Sequence, residues 1–178
     1  GSFLTQGNST FTNRGSLTVT GVVISSGSAV IRQIAGAMSA SRLEARSGGI
    51  LAYDGGTLTV LEVEAGFGGT FSLNTRLDIS RLRVAIGGVV THDPGDADFD
   101  LAVSETLTIE TGGSVSADGS GYASGSGPGA GLTVPENFGG GQGSGGGYGG
   151  NGGGGHLGGN GDPPTIGGSG YGSLPQPS

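Results

Sequence analysis

The densest chemistry-bearing stretch of the chain is His92-Asp93-Pro94-Gly95-Asp96-Ala97-Asp98-Phe99-Asp100. Asp96, Asp98 and Asp100 alternate, and on a strand alternate residues project to one face. Three carboxylates on one face are hard oxygen donors of the kind that hold Ca²⁺. The competing expectation is a solvated acidic loop with mutually repelling charges. It is favoured because the usual EF-hand and nonapeptide calcium signatures are absent. A calcium-assisted polysaccharide lyase would also need a basic residue as proton acceptor. The chain has no lysine, so that role would fall to Arg76, Arg81 or Arg83, close to the acidic stretch. A glycoside hydrolase needs two paired carboxylates. Nothing fixes a nucleophile, and His92 and His156 lie far apart in the sequence. The expectation is that the protein is not an enzyme and carries no cofactor, with a calcium ion on Asp96, Asp98 and Asp100 as the alternative to a bare acidic loop. The remaining candidates are Tyr122, Tyr148 and Tyr171. Such aromatics either dock a polar segment onto its neighbour or stack on a sugar, and anchoring is the preferred reading.

Charge and composition narrow the partners. The 178 residues carry a formal net charge of −7. All seven basic residues are arginine, the last being Arg83, whereas nine acidic residues follow from position 84 onward. A surface of that sign repels nucleic-acid phosphate and anionic lipid. No apolar run reaches the roughly 20 residues of a membrane-spanning helix, so membrane insertion is not expected. Cysteine is absent, which removes both a disulfide framework and a thiolate metal site.

These residues must be positioned by something, and the first part of the chain repeats. Leu17, Val19, Val22, Ile24, Gly27 and Val30 define a motif. Met38, Ala40, Leu43, Ala45, Gly48 and Leu51 restate it, as do Leu58, Val60, Val63, Ala65, Gly68 and Phe71. Leu77, Ile79, Leu82, Val84, Gly87 and Val90 form a fourth copy. Leu101, Val103, Leu107, Ile109, Gly112 and Val115 form a fifth, with one extra residue after Val103. The local period is two, so each copy predicts short strands. The Gly-Gly pairs mark corners, where positive φ carries no Cβ penalty. Units this thin cannot bury a face alone and must stack. The expected fold is all-β: a parallel β-solenoid of about five coils over 1–118, followed by a glycine-rich extended segment over 119–178. Register follows from the repeat. Glu62 should lie between Arg42 and Arg81 on neighbouring coils, and Leu82 should point inward.

The strand, Gly-Gly corner and strand resemble the pectin-lyase-like right-handed β-helices of large bacterial surface proteins and adhesins. So do Leu107-Thr-Ile-Glu-Thr-Gly-Gly-Ser-Val-Ser-Ala-Asp118-Gly-Ser-Gly-Tyr122 and Gly127-Pro-Gly-Ala-Gly131 with the glycine run after it. The resemblance implies a right-handed coil and an extracellular or cell-surface structural or adhesive role.

The glycine-rich segment holds 26 of the 44 glycines. From Gly140 to Gly161 every third residue is glycine, which suits a polyproline II-like or polyglycine II-like extended helix. The functional expectation is a filament, stalk or fibre module that associates with itself or with flanking repeats through its coil ends. The alternative is a carbohydrate- or receptor-binding tip using the three tyrosines. A polysaccharide-active β-helix enzyme is less favoured. Ice binding needs a regular threonine ladder, which the outward positions Thr18, Ser39, Thr59 and Asp78 do not keep.

Overall fold

The computed structural model describes residues 1–94, 100–120 and 130. The chain divides into two compact units, Gly1–Gly121 and Tyr122–Ser178. The described fold is that of the first unit. Among the described residues there is no helix, and every strand pairing is parallel.

The protein is a β-solenoid of about five turns. Its strands are β1 (Phe3–Thr5), β2 (Thr10–Asn13), β3 (Ser16–Thr18), β4 (Val22–Ser26), β5 (Val30–Gln33), β6 (Ala37–Arg46) and β7 (Ile50–Tyr53). They continue with β8 (Thr57–Ala65), β9 (Thr70–Leu73), β10 (Leu77–Val84), β11 (Val89–Thr91), β12 (Leu101–Ile109) and β13 (Ser114–Val115). Two sheets result, each adding one strand per coil. One runs β1-β4-β6-β8-β10-β12, with β3 also on β6; the other runs β13-β11-β9-β7-β5-β2.

The long strands explain the motif. In β6, Met38 and Ala40 point inward, Ser41 and Arg42 both point outward, and Leu43 and Ala45 point inward again. Two successive outward residues break the alternation, and the chain bends there. The same phase break falls at Leu61-Glu62 in β8 and Ser80-Arg81 in β10. The core is therefore a set of columns, one side chain from each of the six strand layers that the five turns connect. One runs Phe3, Val23, Leu43, Val63, Leu82, Leu107. Another runs Phe11, Ile31, Leu51, Phe71, Val90, Val115.

The glycine corners do two separate jobs. Gly68 has φ +79°, a left-handed backbone that glycine adopts without a Cβ clash. Gly69 lies so close to the preceding coil that an added Cβ would overlap the Ala45 carbonyl. The bend before Gly68 extracts a cost, since Phe67 takes φ +50° and is 60% exposed.

The first copy of the motif, Leu17 to Val30, departs from the expected phase. Val23, Ser25 and Ile31 stand in the columns, not Val22, Ile24 and Val30. Three residues, Val19, Thr20 and Gly21, lie between the β3 and β4 pairings, opposite only Ala40 and Ser41. That extra residue shifts everything after it by one. At the other end, the extra residue expected after Val103 is present: Ser104 and Glu105 together oppose Ser80 alone.

Candidate functional site

Side-chain chemistry on the described surface is concentrated in three ion-pair clusters and at the two coil ends. The first cluster lies on the outer face of the β6, β8 and β10 sheet. Glu44 and Glu64 are in-register neighbours, 6% and 3% exposed. Like charges in that relation repel. Arg42 resolves the conflict by donating from Nη2 to Glu44 Oε2 at 2.8 Å and from Nη1 to Glu64 Oε2 at 3.0 Å. Arg46 adds a 3.1 Å bond to Glu44, and Arg83 a 2.6 Å bond to Glu64. Arg83 also donates from Nη2 to Glu110 at 2.6 Å, so the ladder spans coils and balances three cations against three carboxylates.

Glu62 is the in-register partner of both Arg42 and Arg81, as the repeat requires. The ion pairs nevertheless form elsewhere. Arg42 leans along its own face to Glu44 and Glu64, and Arg81 Nε reaches Glu105 Oε2 at 2.8 Å. The buried carboxylates have the larger need for a counter-charge. Backbone register was legible in the repeat; the choice of partner was not.

The second cluster sits at a corner. Asn74 donates from Nδ2 to Asp54 at 2.7 Å and to Asp93 at 2.9 Å, and its Oδ1 accepts the Asp93 backbone N–H at 2.7 Å. Ser72 Oγ donates to Asp93 at 3.0 Å. Arg32 reaches Asp54 at 2.9 Å and Asp93 at 3.5 Å. A neutral amide and a cation thus hold two carboxylates together. Sequence reasoning passed over this group, although Asp54 and Asn74 are 20 residues apart and each follows a short strand.

The third cluster contains the one described residue of the calcium triad. Asp100 accepts from Arg76 Nη1 at 2.9 Å, and Arg76 also holds Asp78 through Nε and Nη2. Asp96 and Asp98 lie outside the described residues, as do Tyr122, Tyr148, Tyr171 and His156. Among the described residues no group of three or more metal-capable side chains is assembled. The three arginines named for proton abstraction are all engaged by carboxylates. Hydrogen bonding to Asp78, with the charges of Asp100 and Asp78, pushes the Arg76 guanidinium above its ordinary value. Hydrogen bonding to Glu110 and the charge of Glu64 do the same for Arg83. A base needs the opposite shift.

The coil ends differ from the middle. Leu82, Val84 and Val90 are 1%, 0% and 0% exposed; their partners one coil on, Leu107, Ile109 and Val115, are 52%, 48% and 42% exposed. Three core columns therefore reach the surface at the last coil. At the first coil, Phe3 and Phe11 are partly buried and lie 4.8 Å apart between ring centroids. No family model, no curated protein and no solved structure matches the chain.

Proposed function

We propose that this protein is an extracellular structural or adhesive module, a segment of a surface filament, stalk or fibre that associates through its coil ends. The observation that carries the reading is the open last coil. Core columns that are sealed in every inner coil emerge there on the apolar Leu107, Ile109 and Val115. A strand edge above an exposed apolar layer is a template for another strand. The resemblance of the repeat to β-helical surface proteins supports the location. Arg76, Arg81 and Arg83 are all held in ion pairs with carboxylates, which favours a binding or scaffold role over a lyase.

Location is tested by treating intact cells of the source with a protease that cannot cross membranes. The chain should be cleaved without lysis; protection until lysis would contradict the surface assignment. Association is tested by cross-linking the purified chain over a concentration series. A ladder of multimers is expected, and a single monomer band at all concentrations would overturn the filament reading.

A further inference from the structure

The charges along the solenoid axis are sorted. Residues 1–43 contain Arg14, Arg32 and Arg42 and no Asp or Glu; Glu44 is the first acid. From position 84 onward there are acids only. In the described last coil these are Asp100, Glu105, Glu110 and Asp118, with Asp100 and Glu105 both 52% exposed. The first coil presents Arg14, which is exposed. Arg76, Arg81 and Arg83 of the preceding coil pair with Asp100, Glu105 and Glu110. The charges that remain to face a neighbour are the exposed Asp118 at the last coil and the exposed Arg14 at the first, and opposite charges so placed attract.

The columns carry the same polarity. In the layer of β1 and β2 the columns carry the partly buried Phe3 and Phe11, and at the last coil they are exposed. Phe3 heads the column that ends in Leu107, and Phe11 heads the one that ends in Val115. Leu107 and Phe3 differ by the same number of positions as Val115 and Phe11, so a single placement continues both sheets at once. Asp118 follows Val115 by the same step as Arg14 follows Phe11. The placement that aligns the apolar columns therefore also opposes a carboxylate to a guanidinium at the corner.

We infer that a second copy of this chain docks head to tail, β1 and β2 of one copy pairing onto β12 and β13 of the other. Phe3 then meets Leu107, Phe11 meets Val115 and Arg14 meets Asp118. The inference rests on the coil-end reading above and adds its polarity, register and partner. A head-to-tail contact leaves one open end of each kind, so it propagates into a filament and does not stop at a dimer.

The experiment uses the whole chain in two variants, each blocked at one end: Leu107→Asp at the last coil and Phe3→Asp at the first. Val115→Asp serves as an independent block of the last coil, and circular dichroism confirms a retained β signature. Head-to-tail docking predicts that each variant alone is monomeric in sedimentation and that a mixture of the two forms one-to-one dimers. Arg14→Asp or Asp118→Arg alone should weaken association about five-fold, the upper range for an exposed ion pair, and the two together should restore it. If Phe3→Asp or Leu107→Asp alone still dimerises, or their mixture stays monomeric, the head-to-tail inference is overturned while coil-end association can stand. If the unmodified chain is monomeric throughout, with its ends covered by its own residues 121–178, both readings fall.

Discussion

Leu82 is 1% exposed in a coil flanked on both sides, so its neighbours cannot collapse into the space it leaves. Leu82→Ala should destabilise by about 2–5 kcal/mol in denaturant unfolding; a loss below about 1 kcal/mol would show that the column is not packed. Arg42 is the cation shared by two buried carboxylates. Arg42→Met keeps most of the side-chain volume and leaves Glu44 and Glu64 facing each other. Each retains one other arginine, so the expected cost is about 1–3 kcal/mol. Glu44→Gln in the same background should recover part of it by removing the repulsion, and no recovery would show that Arg42 acts only by packing. Tyr53 supplies a pH dependence. Burial raises its phenol above the ordinary value of 10.0, and its hydroxyl donates to the Gly56 carbonyl at 2.7 Å. The fold prefers the protonated phenol, so this contribution is intact below pH 10.0 and is lost as pH rises through the higher folded value. Thermal unfolding should show an alkaline decline that Tyr53→Phe reduces; an unchanged decline would assign it to other groups.

Strand order, parallel pairing and inner register follow from the period-two motif and its glycines, and these are what the sequence displays most openly. Legibility fails where the motif does not specify a unique phase. In Val22-Val23-Ile24 three successive residues are apolar, so alternation alone does not say which face is inside. The extra residue among Val19, Thr20 and Gly21 decides it by placing Val23 opposite Leu43. The extra residue near Ser104 was legible because Leu101, Val103 and Leu107 keep their contrast with polar neighbours. Ion-pair partners were less legible, since long arginine side chains choose by burial as well as register. The left-handed Phe67 had no signal either, because local sequence favours glycine there and only the stacking of coils fixes the corner. At this scale the second glycine of each corner is the sharper test. Gly69→Ala places a Cβ into the Ala45 carbonyl and should cost about 3 kcal/mol or separate the two coils. Wild-type stability on unfolding would mean that the coils are not in contact there.

For the whole molecule, the candidate functional surface is the pair of coil ends, a feature no residue motif announces. The acidic tail of the charge distribution was readable, but its opposition to an acid-free first coil has meaning only once the coils are stacked in order. Neighbouring coils rise about 4.8 Å, so the proposed end-to-end stacking would lengthen the assembly along the solenoid axis. Small-angle X-ray scattering over a concentration series separates the ways such a chain can associate. End-to-end stacking predicts a maximum dimension that grows with concentration while the radius of gyration of the cross-section stays constant, with growth abolished by Leu107→Asp. A maximum dimension independent of concentration, or a cross-section that thickens as the particles grow, would contradict the account.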